Sequence, residues 1–317
     1  IYYLSPETVD VDGDGVNDVD HDATRANLSN AFNNWLFNPT SFAHGLVVYL
    51  IGHGGAGAFE LNSTETVSAL EMAGWLDDAE PQLTGRLVFV YDGCFSGSFF
   101  GFLTPGMGDY RIVMTSTDEG EVATFQDDGE RSFSYRFWYD IFEGYKVGYA
   151  FSRARAEMTP YGQTGRIYND TLAKTVYIGR DVVIAPVGPK ISRMSPDDGL
   201  TLNGETSAAI EVAVDSPNGI KYVKAIIIPP NQSQQSSDDP VIDLPEVLLT
   251  DRDNDGSYEG VYNGFTQAGT YTITISAEDK EDLRAYDPNR VITIVQEVAT
   301  TLPGDLNGDG TVNLADV

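Results

Sequence analysis

Cysteine and histidine are both scarce: Cys94 is the only thiol, and His21, His44 and His53 are the only imidazoles among 317 residues. A single thiol excludes an internal disulfide framework and leaves too few good ligands for an ordinary zinc site. Basic residues are few as well, with 19 lysines and arginines against 48 acids and a formal net charge of −29. That balance argues against nucleic acid or an anionic membrane surface as partner and favours cations. No run of about 18 apolar residues occurs, so the sequence offers no membrane-spanning helix. Its first residues read as a strand and not as a charged signal, as expected of a fragment of a longer precursor. Hydrophobic residues make up 41%, enough for the cores of two domains of ordinary size.

Two apolar runs organise the rest. Leu46-Val-Val-Tyr-Leu-Ile51 ends in Gly52-His53-Gly54-Gly55, and Leu87-Val-Phe-Val-Tyr91 ends in Asp92-Gly93-Cys94. Both are too short for helices and rich in β-branched and aromatic residues, as buried strands are. Between them Val67, Leu70, Ala73 and Leu76 recur at helical spacing, which predicts a helix over 65–79 and hence a parallel strand–helix–strand unit. In an open parallel sheet the functional crevice lies beyond the carboxyl ends of the strands, so His53 and Cys94 are expected at one rim. Further helices are predicted over 24–37, 132–143 and 147–158, and strands over 1–4, 112–116 and 174–178. The stretch 99–109 is glycine-rich and reads as a loop near the crevice. An α/β-hydrolase esterase is excluded by order, because no histidine follows position 53.

The run ending in His53-Gly54, the segment Tyr91-Asp-Gly-Cys94-Phe-Ser-Gly-Ser-Phe99 and the following Arg111-Ile-Val-Met-Thr-Ser116 resemble the legumain and caspase clan of cysteine peptidases, closest to its bacterial legumain-like members. The resemblance spans about residues 1–180. It implies an α/β, caspase-like parallel-sheet three-layer domain acting on protein or peptide substrates. Cys94 would be the nucleophile and His53 its partner, with the backbone N–H groups of Gly54 and Cys94 as oxyanion donors. The chemistry accounts for these residue types: a nearby imidazolium favours the thiolate that attacks a carbonyl, and the imidazole then protonates the leaving amine. The acids Asp118, Glu119 and Glu121 follow the next strand, with Glu121 the nearest counterpart of a pocket acid. Cleavage after arginine or lysine is the resulting expectation. Legumains proper prefer asparagine, for which Arg25 or Arg131 would balance the acid.

Three acidic loops carry oxygen side chains at alternating positions with glycine at the sharp turn, the pattern of calcium sites. They are Asp10, Asp12, Asp14 and Asp18; Asp251, Asp253, Asp255 and Glu259; and Asp305, Asn307, Asp309, Thr311, Asn313 and Asp316. For the first two a solvated acidic turn is the bland alternative. The third resembles the first calcium loop of a type I dockerin, which implies a cohesin partner for a complete module. Between Pro186 and residue 298 short strands at 208–214, 221–228, 246–249, 271–276 and 291–295 suggest an all-β immunoglobulin-like sandwich with a polar, mobile insert at 231–239. The expected organisation is therefore a peptidase domain over 1–185, the sandwich over 186–298 and a truncated dockerin over 299–317, with structural Ca2+ and no organic cofactor. Such a chain belongs outside a cell or on its surface, in a bacterium. The competing reading is a noncatalytic calcium-dependent adhesion or scaffold-attached module on an inert peptidase-like fold.

Overall fold

The computed structural model describes residues 1–37, 45–105, 111–127, 129–179, 188–197, 199–232, 240–241, 243–285 and 290–297. The chain divides into two units, Ile1–Ala185 with Gln235–Asp243, and Pro186–Gln234 with Leu244–Val317.

In the first unit, the short strands β1 (Leu4–Ser5) and β2 (His21–Asp22) pair in parallel around the first acidic loop. Helix α1 (Arg25–Asn30) is capped by the Thr24 hydroxyl and runs on as a wider π-helical turn over Ala31–Trp35. Leu28, Phe32 and Leu36 are its buried stripe. Strand β3 (Leu46–Ile51) leads to a hairpin sheet of β4 (Gly54–Gly55), β5 (Ala58–Glu60) and β6 (Thr66–Ser68), followed by helix α2 (Ala69–Ala79). The sequence predicted a helix from residue 65, but 66–68 are extended and pair with β5. Ser68 then starts α2 with a reciprocal capping box to Glu71, which satisfies two helix-end donors and fixes the start. Leu70, counted on the apolar face from its spacing, is exposed; the buried face is Ala69, Met72, Ala73, Leu76 and Ala79.

Strands β7 (Leu87–Asp92) and β8 (Arg111–Thr115) are buried at every residue, as expected of inner strands covered on both faces. A short helix α3 (Phe100–Leu103) lies between them where the sequence predicted loop. Helices α4 (Phe133–Phe142) and α5 (Val147–Met158) follow, then β9 (Ile167–Tyr168) and α6 (Asp170–Ala173). The sheet order is β3-β7-β8-β9, with the first three strands parallel and β9 antiparallel at the edge. The expected strand at 174–178 is absent: the chain there is turn and coil, and the Val176 carbonyl accepts the Val147 N–H at 3.0 Å, tying it to the start of α5. Leu87, Phe89 and Tyr91 join α1 and α2 in one apolar cluster. From the other side Trp138 of α4 packs edge-on against Tyr49, so helices cover both faces.

The second unit contains β10 (Lys190–Ser195), β11 (Leu200–Leu202), β12 (Ala208–Asp215), β13 (Ile220–Ile228), β14 (Glu246–Leu249), β15 (Ser257–Tyr262), β16 (Gly269–Asp279) and β17 (Ile292–Gln296). They form two sheets, β10-β12-β15 and β11-β17-β16-β13-β14. Alternate residues of both sheets, among them Ile210, Val212, Val223, Ile227, Ile273 and Ile294, share one buried cluster. The strands at 190–195, 200–202 and 257–262 were not predicted.

Candidate active site

Strands β3 and β7 run in parallel with Leu46 opposite Leu87 and Ile51 opposite Asp92. His53 and Cys94 therefore leave the same ends of adjacent strands at equal offsets. The Gly52 N–H closes the ladder on the Asp92 carbonyl at 3.2 Å. His53 is exposed, whereas Cys94 is 1% exposed.

The backbone around Cys94 is tightly specified. A Cβ at Gly93 would collide with the Gly52 carbonyl, and one at Gly54 would collide with the Tyr91 hydroxyl and the Cys94 carbonyl, so both glycines are needed for close approach. Phe95 adopts the left-handed conformation (φ 57°), which a bulky residue holds only when its surroundings fix it. Its N–H donates to the Glu121 carbonyl at 2.8 Å, and its carbonyl accepts from the Ser98 N–H and hydroxyl at 2.8 and 2.6 Å. Ser96 and Thr117 bind one another's backbone N–H groups at 2.9 and 3.0 Å, and the Thr117 hydroxyl donates to the Gly93 carbonyl at 3.1 Å. The Ala123 N–H donates to Cys94 Sγ at 3.3 Å. Asp92 is fully buried; its Oδ2 accepts the Ser134 N–H at 2.8 Å. Burial pushes its carboxyl up, opposed by hydrogen bonds from Ser116 and Ser134.

The three acids after β8 are engaged by the chain itself. Glu121 Oε2 accepts the N–H groups of Asp118 and Thr164 at 2.6 and 2.8 Å, and Oε1 accepts the Thr164 hydroxyl. Asp118 and Glu119 pair with Arg166 at 2.8 and 3.4 Å. The base paired with Asp118 and Glu119 is Arg166, whereas the sequence suggested Arg25 or Arg131 as a balancing base. Arg25 pairs with Glu71, and Arg131 lies 3.8 Å from Asp127. Arg166, Thr164, Ser134 and Gln163 were not identified from sequence. They reach the site from 40 to 72 residues downstream of Cys94, and no local motif marks them.

The acidic loops fit hard cations in part. Carboxylate oxygens of Asp10, Asp12 and Asp18 lie within 4.8 Å of one another, as do those of Asp251, Asp253 and Asp255. Asp10 also accepts the N–H groups of Gly13 and Gly15 at 2.8 Å each, and Asp251 those of Asp255 and Gly256 at 3.1 and 3.0 Å. Asp14 accepts the Val16 N–H at 2.8 Å and is outside the first group. Glu259 belongs to β15, its backbone paired with Thr250, and is outside the second. His21 lies in β2, its ring 5.3 Å from that of Tyr2. His44, most of the insert at 231–239, and the third loop with Asp305, Asn307, Asp309, Thr311, Asn313 and Asp316 lie outside the described residues.

Residues 43–143 match the model of the Peptidase C13 family, the legumain family, a span that holds His53, Cys94 and the three acids. The match supports a cysteine peptidase and covers less than half of the chain. No curated protein matches. Among solved structures, the fibronectin(III)-like modules of Clostridium thermocellum CbhA are 19% identical over 38% of this chain and 52% of theirs, with a TM-score of 0.25. CopC from Methylosinus trichosporium OB3b is 10% identical over 34% of this chain and 93% of its own, with a TM-score of 0.24. OgpA from Akkermansia muciniphila is 9% identical over 72% and 70%, with a TM-score of 0.22. At these scores the likenesses carry no assignment of fold or activity. Among the described residues no helix is long and apolar enough to cross a membrane.

Proposed function

We propose that the chain is a secreted cysteine endopeptidase using a His53–Cys94 dyad on a caspase-like domain. The observation that carries this reading is the parallel register of β3 and β7, which sends both residues from matched strand ends inside the span matched by the Peptidase C13 model. In the proposed cycle the Cys94 thiolate adds to the scissile carbonyl carbon, and the N–H groups of Gly54 and Cys94 receive the oxyanion. Collapse breaks the C–N bond as the His53 imidazolium gives its proton to the leaving amine, leaving a thioester. His53 then takes a proton from water, whose oxygen attacks the thioester and frees the acid and Cys94. A peptidyl electrophile directed at thiols tests this: it should label Cys94 in the wild type and at least a hundredfold more slowly in His53→Ala. Equal labelling of the two would remove His53 from the dyad.

For the residue before the scissile bond we keep arginine or lysine as the reading, with Asp118, Glu119 and Glu121 as the acids of the rim. Only Glu119 is exposed, and Arg166 already shares its charge. The second unit reads as an immunoglobulin-like sandwich, supported by two sheets around one core. The loops at Asp10–Asp18 and Asp251–Asp255 are proposed to hold Ca2+, for which clustered carboxylates are suitable hard ligands. The chain's end is read as the opening of a dockerin for a cohesin partner, and the whole as extracellular.

A further inference from the structure

One hydroxyl joins the turn that follows His53 to the turn that follows Cys94. Ser98 Oγ accepts the Gly57 N–H at 2.8 Å and donates to the Phe95 carbonyl at 2.6 Å. Gly57 lies in the turn between β4 and β5, and Phe95 directly follows Cys94. The hairpin turn is held from its other side as well, because the Gly57 carbonyl accepts the Ala69 N–H at the start of α2 at 3.0 Å. Strand pairing carries the position of this turn down to its base. Gly55 stands opposite Ala58, Gly54 opposite Phe59, and the His53 carbonyl accepts the Glu60 N–H at 3.1 Å. On the far side of the hydroxyl, Phe95 has φ 57°, which a bulky residue keeps only when its surroundings fix it. The Phe95 carbonyl receives the Ser98 N–H at 2.8 Å in addition to the hydroxyl, so one serine holds it twice.

We infer that Ser98 is a positioning residue of the proposed peptidase: it sets the spacing between the Gly54 and Cys94 N–H groups that receive the oxyanion. This inference rests on the dyad reading above. Ser98 acts through Gly57 on one side and Phe95 on the other, and no bond is made or broken on it. Donors fixed in advance stabilise charge that develops only in the transition state, and their value depends on their being held in place. A group that accepts on one side and donates on the other is required at this position. Ser98→Ala removes both bonds, whereas Ser98→Thr retains the hydroxyl for both.

Ser98→Ala should lower kcat and kcat/KM alike, by about tenfold or more, with KM within about twofold, because the interaction is lost only in the transition state. A peptide aldehyde reads the same donors: the thiol adds across its C=O, sulfur to carbon and proton to oxygen, and the adduct oxygen takes the oxyanion's place. Its affinity should fall by a similar factor. Alkylation of Cys94, the only thiol, by iodoacetamide forms no oxyanion and should stay within about twofold of the wild-type rate. A merely structural loosening would move alkylation and KM as well. Ser98→Thr should recover turnover and aldehyde affinity. Hydrogen exchange at the Gly57 amide reads the clamp without reference to catalysis: slow in the wild type and in Ser98→Thr, and at least about tenfold faster in Ser98→Ala. Turnover by Ser98→Ala within about twofold of an active wild type overturns the inference. So does alkylation that falls in step with kcat, or a Gly57 amide that exchanges equally in both proteins. Should Ser98→Ala fail to fold, the wild type decides, since an unprotected Gly57 amide there overturns the clamp. A wild type that neither hydrolyses peptides nor binds the aldehyde, with Gly57 still released by Ser98→Ala, counts against the peptidase reading and leaves the clamp standing.

Discussion

Ile51 and Asp92 are register partners on adjacent parallel strands, so the chain turns out of the sheet at the same level on both. One partner is exposed and precedes His53, and the other is wholly buried and precedes Cys94. The burial of Asp92 has a measurable consequence. Its carboxyl is raised in the folded protein, so the native state keeps a proton that the unfolded chain releases near pH 3.9. Stability therefore falls as pH rises from that value toward the folded pKa and is level beyond it. Asp92→Asn removes this loss while keeping an acceptor for the Ser134 N–H. Its melting temperature should gain on the wild type as pH rises above about 4. Parallel melting curves against pH would contradict the assignment.

Arg111 opens β8 with its side chain fully buried, paired with Asp77 and Glu80 at 2.8 Å each and donating to the Leu103 carbonyl at 3.0 Å. Removing the guanidinium leaves Glu80 and that carbonyl without their partner. Arg111→Ala should cost about 3 kcal/mol in denaturant unfolding, the scale of breaking a buried pair. A loss below about 1 kcal/mol would place the pair with exposed ones.

Chelation should lower the melting temperature if the acidic loops hold Ca2+, since a cation bound only by the folded chain stabilises by about 2.7 kcal/mol at a hundred times its Kd. Asp10→Ala and Asp253→Ala should each abolish part of the response, one in each unit. Calorimetry that shows no heat of Ca2+ binding and no change of melting temperature would make both loops plain turns.

The strands leading to His53 and Cys94 were legible because a continuous apolar run, six residues before Gly52 and five before Asp92-Gly93, has few alternatives. Helices α4 and α5 were legible from their period. The hairpin sheet β4–β6 was not, because Val67 fits a helical spacing and an alternating strand equally well and only its pairing with Phe59 decides. The acids after β8 were visible as a cluster, but their state was not. Glu121 is occupied by Thr164 and Asp118, and Arg166 arrives from the far side of two helices. Of the three missed strands in the second unit, β10 and β15 carry polar residues that interrupt the apolar pattern, and β11 is only three residues long. Val241, just past the polar insert read at 231–239, pairs its backbone with Ala123 and Phe125, and nothing in its local sequence marks that contact.

Cleavage reporters that differ only in the residue before the scissile bond separate the specificity readings. Arginine or lysine should be preferred at least tenfold over asparagine, since a carboxylate and a guanidinium pair more strongly than neutral partners. Glu119→Gln should reduce that preference, while Glu121→Gln should chiefly loosen the Thr164 contacts and lower the melting temperature. Preference for asparagine would instead assign the pocket to Arg166.

The most direct measurement is turnover of a fluorogenic peptide panel by the wild type and by Cys94→Ala, with melting followed on the same samples. The account predicts hydrolysis by the wild type and a loss of at least a thousandfold in the variant, whose melting temperature should move by only a few degrees for one small side chain. Undiminished hydrolysis by a folded Cys94→Ala protein would contradict it.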